Sequence, residues 1–238
     1  MVDIHCHILP GIDDGSRSWE MTAAMCRMAA ADGVTHIVAT PHANYNYVYN
    51  RERYAAMLGQ LCDVSEGKLA FSLGCDFHFS YENIRDALQD PRRYSIGDTQ
   101  YLLIEFSDHA IPPTVKQDVF ALRTNGLVPI ITHPERNPLL MKKPDMVLAL
   151  VEQGCLVQVT ANAVTGAWGK ASQKMLERLL KRQAVHVVAS DAHDTVWRKP
   201  ILSEARDTVA KLAGVEVAEA LVTGNPQAIV EGKPLPGM

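Results

Sequence analysis

The sequence predicts an α/β fold, a parallel sheet or barrel wrapped by helices, and three observations carry that prediction. Short β-branched runs alternate with amphipathic stretches from one end of the chain to the other, the pattern of repeated βα units. No internal repeat, low-complexity tract or Pro/Gly-rich linker divides the chain. Its 238 residues, 47% hydrophobic and 21% charged, fill one barrel-sized domain of roughly 200–250 residues and can bury a large core.

Seven strands are expected, at Val2–His5, Thr35–Thr40, Leu69–Gly74, Tyr101–Phe106, Leu127–Thr132, Cys155–Thr160 and Val185–Ser190. Between the first two, Met21, Met25, Met28 and Ala29 recur with helical spacing, and Gly33 stands where a helix would stop. After the second strand, Tyr54, Met57, Leu58, Leu61 and Cys62 keep the same period up to Gly67. Further helices are expected over Thr114–Asn125, Asp145–Gln153, Ala171–Arg182, Ser203–Leu212 and Val215–Val222, with Pro226 opening a short last one.

Composition excludes several classes. With 23 basic and 27 acidic residues the net charge is −4, which weighs against a sequence-independent grip on nucleic acid. Five widely spaced cysteines form no CxxC pair or disulfide framework, and no stretch nears the ~20 apolar residues of a membrane span. The N-terminus carries no secretory pattern, so a cytoplasmic protein without membrane insertion is expected.

Ligands of α/β folds sit beyond the C-terminal ends of the strands, and the chemistry here gathers there. The first strand ends in His5-Cys6-His7, whose alternation sends both imidazoles to one face. Alone, such a triplet suits a packed pair as well as a metal. The second run leads to His42, the third to Asp76, the fourth to Glu105, the fifth to His133 and the seventh to Asp191 and His193. Asp14 adds a carboxylate in the loop after His7, beside Asp13, one of the two being free to start a turn or cap a helix. His36 and His186 lie inside strands and read as satisfied core or outward-facing residues. The nine donors His5, His7, Asp14, His42, Asp76, Glu105, His133, Asp191 and His193 are too many for one ion and suit a cluster of two or three sharing a bridging carboxylate.

Taken with their surroundings, these residues resemble the PHP (polymerase and histidinol phosphatase) superfamily, and within it the bacterial capsule- and exopolysaccharide-locus protein-tyrosine phosphatases. The similarity covers essentially the whole chain and rests on Met1–His7, Asp13-Asp-Gly-Ser16, Ala39-Thr-Pro-His42, Leu102–Phe106, His133-Pro-Glu-Arg136, Ala189–His193 and Asn225-Pro226. It implies a distorted (β/α)7 TIM-like barrel of the PHP fold and a site for three metal ions, manganese first, iron or zinc otherwise. Position by position, it implies His5, His7 and Asp191 on one ion, Glu105 and His133 on a second, and Asp14, His42 and His193 on a third, with Asp76 bridging the first two. The family usually has Glu at that bridge, so this chain's shorter Asp76 needs a closer backbone or holds its ions less firmly; His78 is a candidate to compensate.

The resemblance also implies that Arg136 and Arg198 bind the substrate phosphate, as guanidinium forks do. Arg17 is a weaker third candidate. None of the five cysteines is followed six positions on by arginine, and neither a Gly-x-Ser-x-Gly elbow nor a P-loop is present. The expected reaction is hydrolysis of phosphotyrosine esters by metal-bound hydroxide without a phosphoenzyme, with small aryl phosphates as accessory substrates. In relatives the partner is a tyrosine-rich tail of a membrane-linked kinase governing polysaccharide export. The alternatives are a histidinol-phosphate-type phosphatase, an amidohydrolase-like esterase or phosphotriesterase, and a metal-bound scaffold without turnover. Tyr45, Tyr47 and Tyr49, at alternate positions beside His42, read either as an aromatic rim for an aryl ester or as a half-buried lid.

Overall fold

The computed structural model describes residues 1–236. Its strands are β1 (Val2–Cys6), β2 (His36–Ala39), β3 (His42–Ala43), β4 (Ala70–Leu73), β5 (Asp76–His78), β6 (Tyr101–Glu105), β7 (Val128–Thr132), β8 (Leu156–Thr160) and β9 (Val187–Ala189). Every pair is parallel, in a three-stranded sheet β1-β2-β4 and a six-stranded sheet β3-β5-β6-β7-β8-β9.

The seven expected runs each form a strand, and two short further strands, β3 and β5, follow the second and third runs after an interruption. Pro41 has no N–H to give a ladder and separates β2 from β3. Gly74-Cys75 separates β4 from β5, and a Cβ on Gly74 would lie 3.0 Å from Val38 Cγ1 and 3.3 Å from Thr40 Cγ2. The chain crosses its neighbour too closely there for a side chain. The same two breaks carry the order from one sheet into the other. At the far end, His7 N–H donates to Ala192 O and Asp191 N–H to His5 O, both at 2.8 Å, and Cys6 bridges Ala192. The sheets thus follow one another round a distorted TIM-like ring rather than one closed ladder.

Alternation along the strands builds two apolar clusters on opposite faces. Leu103, Ile130, Leu156, Val187 and Ala189 belong to the smaller, whereas Leu102, Ile104, Ile131, Val157 and Val188 join the larger one against the helices. The expected helices form with shifted ends, among them Trp19–Ala31, Arg51–Val64, Val115–Thr124 and Gly169–Lys181. The Val215–Val222 helix is instead α-helical to Glu219 and continues as a π-helical turn over Ala220–Gly224.

Three helices were not expected. Tyr81–Gln89 is strongly amphipathic, burying Ile84 and Ala87 on one face, and Ser80 caps it by accepting from Asn83 N–H, so both signals were present in the sequence. Pro138–Lys142 and Ala161–Val164 are too short to show a period at all.

His36 and His186 lie away from the strand ends that gather the donors. His36 Nε2 meets Ser72 Oγ at 2.8 Å, and His186 Nδ1 accepts the Val157 N–H at 3.0 Å. Burial pulls His186 down from its ordinary 6.5 to about 4, so folding favours the neutral ring. That contribution is complete above pH 6.5 and is lost as pH falls from 6.5 toward 4. His186→Asn keeps an acceptor for Val157 and cannot titrate. It is expected to lose about 2 kcal/mol less stability than the parent between pH 7 and pH 5, measured by urea unfolding. Equal losses would place no titration at His186.

Candidate metal centre

The fold delivers the nine candidate donors to one mouth by strand geometry. Asp3, His5 and His7 alternate along β1 and its extension. Parallel register sets His42 of β3 against Asp76 of β5, and His78 against Glu105 of β6. His133 and Asp191 follow the ends of β7 and β9 and take left-handed backbone, φ 32° and 52°. Non-glycine residues rarely hold that conformation, and it turns both side chains back over the strand ends.

These residues form one network of nitrogen–oxygen contacts. Asp191 Oδ1 lies 3.4 Å from His5 Nε2 and 3.5 Å from His7 Nε2, and the two imidazole nitrogens face each other at 3.2 Å. Asp14 Oδ1 lies 3.3 Å from His42 Nε2 and 3.5 Å from His193 Nε2. Asp76 Oδ2 stands 3.6 Å from His5 and 3.1 Å from His42, and Glu105 reaches His133 at 3.6 Å and His42 at 3.8 Å. Three overlapping sets, His7-Asp14-His42-His193, His5-His7-Asp76 and His42-Asp76-Glu105, have ligand atoms within 4.8 Å of one another. His133 and Asp191 stand outside these sets, Asp191 being held between His5, His7 and the two arginines, and His78, 4.0 Å from Glu105, is a rim residue about 29% exposed.

Asp76, Asp191 and His5 are almost wholly buried, yet both Asp76 oxygens, His42 Nδ1 and His193 Nε2 have no hydrogen-bond partner among the described residues. Buried groups left so are costly, and cations at their common centre would satisfy them. The donor set of imidazoles and carboxylates fits borderline to hard divalent ions.

A second layer orients the rings. Gln158 of β8 accepts from His5 Nδ1 at 2.9 Å, Asp13 accepts from His7 Nδ1 at 2.8 Å, and the Asp191 carbonyl from His193 Nδ1 at 3.0 Å. Each bond fixes a tautomer that turns Nε2 toward the centre. Asp13 is thus the ring's orienter, and it also accepts from the Gly15 and His42 amides. Gly15 permits this fold-back: a Cβ there would stand 2.2 Å from His7 O.

Sequence reasoning missed Asp3, Gln158 and Glu135. Asp3 accepts from the Ser190 amide and hydroxyl, tying β1 to the residues after β9, and Glu135 accepts from Thr160 N–H and Oγ1 at 2.8 and 2.9 Å. Their signals were present: Asp3 shares the His5/His7 alternation, and Gln158 is one amide in the strand Leu-Val-Gln-Val-Thr.

Arg136 and Arg198 both reach the centre, each donating to Asp191 Oδ2, and Arg136 also stacks on Trp168 with its guanidinium carbon 4.2 Å from the ring centroid. Arg17 is exposed. The three alternate tyrosines share no face. Asn44 Oδ1 accepts from the Asn46 and Tyr47 amides, making a turn that breaks the alternation. Tyr45 is fully exposed, Tyr47 stacks parallel to His42 at 5.9 Å, and Tyr49 is buried with its hydroxyl on Gly74 O.

Over residues 1–231 the chain matches the family of capsular polysaccharide synthesis proteins CpsB/CapC. This chain belongs to that family. It is 35% identical over 222 residues to the tyrosine-protein phosphatase YwqE of Bacillus subtilis, covering 91% of this chain and 87% of that one. It is 29% identical over 239 residues to the tyrosine-protein phosphatase CpsB of Streptococcus pneumoniae, covering 97% and 98%. Among solved structures it superposes with TM-score 0.91 and 32% identity, over 99% of this chain and 96% of the other, on a chain from crystal structures of YwqE and CpsB described as unique metal-dependent tyrosine phosphatases. A histidinol phosphate phosphatase of Lactococcus lactis, at TM-score 0.62 and 12% identity over 93% and 94% of the two chains, shares the fold.

In this CpsB/CapC chain the charges at the centre compensate one another. Burial alone would lower His5 and His42, yet Asp191 and Asp76 hold His5 at about 9, and Asp14 and Asp76 hold His42 at about 11. Burial would raise Asp76 and Asp191, yet His5 and His42 keep Asp76, and His5, Arg198, His7 and Arg136 keep Asp191, well below the usual carboxylate range. Burial drives His133 to about 3 and His193 to about 4. Metal-free protein at neutral pH therefore carries protons on His5 and His42 where a cation would sit. Loading with Mn²⁺ or Zn²⁺ at pH 7 is expected to release about two protons per chain, one from each ring, falling as pH rises through 9. Calorimetric titration in buffers of different ionisation enthalpy measures the number; release unchanged between pH 7 and 10 would contradict the assignment.

Proposed function

We propose that this protein is a metal-dependent protein-tyrosine phosphatase that hydrolyses phosphotyrosine monoesters, with small aryl phosphates as accessory substrates. The observation that carries this reading is a buried carboxylate, Asp191, that meets the imidazoles of His5 and His7 on one oxygen and the guanidiniums of Arg136 and Arg198 on the other, at the edge of a cluster of further imidazoles and carboxylates. Kinship with phosphatases named for tyrosine and for capsule synthesis supports it. In this reading His5, His7 and Asp191 would hold one ion, Glu105 and His133 a second, and Asp14, His42 and His193 a third, with Asp76 shared by the first two. Manganese is the first choice of metal, with iron or zinc as alternatives set by supply. The substrate is a phosphotyrosine protein, a kinase tail in the control of polysaccharide export, and the enzyme works in the cytoplasm. Among the described residues no helix is long and apolar enough to cross a membrane.

Ions bound there would supply an activated water at neutral pH and neutralise charge on the phosphoryl group. The chain's own residues do the rest. Gln158 and Asp13 hold His5 and His7 in one tautomer and orientation, so the donor set is rigid before anything binds. Arg136 and Arg198 share Asp191, which neutralises part of their charge and fixes where the guanidiniums stand. Arg136 Nε is buried without a partner among the described residues, and the two forks together would donate their other N–H groups to phosphate oxygens. Asp76 works by position: β5 carries the short side chain close enough to touch both His5 and His42.

Chelator-treated protein restored with Mn²⁺, Fe²⁺ or Zn²⁺ is expected to hydrolyse p-nitrophenyl phosphate and phosphotyrosine peptides, and phosphoserine peptides far more slowly. No hydrolysis with any of these metals overturns the reading. Asp76→Ala is expected to lose at least one bound ion per chain by elemental analysis, whereas full occupancy would remove Asp76 from the bridge. Arg136→Ala is expected to keep its metal and lose roughly 100-fold in kcat/KM for aryl phosphate. Unchanged kinetics would take Arg136 out of the phosphate site.

A further inference from the structure

The loop after β9 displays two large apolar side chains beside the mouth, Val196 at 79% and Trp197 at 58% exposure. Nothing in the loop's own architecture requires them. Asp194 Oδ1 accepts the backbone N–H groups of Val196, Trp197 and Arg198, at 2.6, 2.6 and 3.2 Å, and Asn162 Nδ2 donates to Trp197 O at 3.0 Å. The backbone is held by bonds that ignore the side chains, so the indole is presented rather than used. Single exposed apolar residues are ordinary; an adjacent pair on a pinned loop over a groove calls for a partner.

The groove is a cavity of about 230 Å³, and among the residues lining it are Asn162, Thr165, Val196, Trp197, Lys199 and Ile201. Its position follows from the chain. Asn162 begins just past the end of β8, at the same end of the strands as the candidate donors. Arg198 turns inward onto Asp191, while its neighbours Trp197 and Lys199 turn outward into the groove. Trp197 directly precedes Arg198 in the chain, so a polypeptide with its phosphate on Arg198 can run out along this loop. The lining combines an aromatic and aliphatic wall with the amide of Asn162, the hydroxyl of Thr165, the ammonium of Lys199 and the carboxylate of Glu204. A polypeptide offers that same mixture, polar peptide groups beside apolar side chains, which a bare aryl ring does not.

Resting on the phosphatase reading above, we infer that this groove is a substrate subsite that takes an apolar side chain of the polypeptide flanking the phosphotyrosine. Val196 and Trp197 supply the contact, and rigid aromatic anchors of this kind give large contact area with little entropy to lose. The site makes the enzyme choose among phosphotyrosine peptides without touching the reacting atoms.

The test uses metal-loaded full-length protein and phosphotyrosine peptides with Leu, Phe or Gly at each of the two positions on either side of the phosphotyrosine. The parent is expected to favour Leu or Phe over Gly at one of these positions by 5- to 10-fold in kcat/KM, chiefly through KM. Trp197→Ala is expected to lose that preference while hydrolysing p-nitrophenyl phosphate as the parent does, and Trp197→Phe to keep most of it. Affinity for the same peptides carrying a non-hydrolysable phosphonate, measured by calorimetry, is expected to fall 5- to 10-fold in Trp197→Ala. The inference is overturned if the parent does not discriminate, if Trp197→Ala discriminates equally, or if Trp197→Ala changes only the oligomeric state, the pair then covering a second copy. Failure of the parent on p-nitrophenyl phosphate as well would be failure of the phosphatase reading itself, a different result from activity without peptide preference.

Discussion

The constraint on which the rest depends is the burial of Asp191. Its carboxylate is about 1% exposed and is shared by the imidazoles of His5 and His7 through one oxygen and the guanidiniums of Arg136 and Arg198 through the other. An isolated carboxylate so placed would be too costly to keep ionised, so four cationic or polar partners from three parts of the chain must arrive together. The same residue donates its backbone N–H to His5 O, one of the bonds that brings the end of β9 to β1. Closing the ring and assembling the centre are one event. Asp3, clasped by Ser190 one residue earlier, belongs to the same seam.

Most of the centre was legible because a parallel α/β fold puts the ends of all its strands on one side. A histidine or acid at the end of each run is then a statement about space as well as sequence. Seven of the nine candidate donors fall in three overlapping close sets, His133 and Asp191 lie beside them, and Arg136 and Arg198 both reach Asp191. What was not legible is the supporting layer. Gln158, Glu135 and Asp3 lie inside or just past strands, where polar residues read as noise until their partners across the ring are known. The tyrosine segment misled for a local reason: Asn44 folds the backbone into a turn, so residues at alternate positions do not share a face. The interruptions before β3 and β5 were foreshadowed by Pro41 and Gly74, each of which interrupts a ladder for a different cause, a missing donor in one case and a close packing contact in the other.

The electrostatics of the metal-free centre show what the fold tolerates to keep it. Carboxylates at Asp14, Asp76 and Asp191 face rings of which two, His5 and His42, hold protons well above the ordinary histidine range. Each proton is a small, movable cation standing in for a larger one. Such a network remains partly unsatisfied without metal, as Asp76 Oδ1, buried and meeting no donor among the described residues, shows, so folding and metal uptake are thermodynamically linked. A core packed with Leu and Val at those positions would be more stable and chemically inert.

The two sides of the mouth are rigid for the same physical reason, and this bears on selectivity. Around the donors, orientation comes from side chain to side chain bonds such as Asp13 to His7. On the substrate side it comes from a side chain gripping backbone, Asp194 holding three successive amides and Asn162 a carbonyl. Because that grip uses main-chain groups, residues 196, 197 and 199 can vary without displacing Arg198, whose guanidinium lies on Asp191. Chemistry and recognition are thereby uncoupled along a single loop: one residue points in and is constrained by the buried carboxylate, while its neighbours point out and are constrained only by what they touch. A fold that must cleave one bond while choosing among polypeptides gains from that separation, since a change in choice leaves the reacting geometry in place.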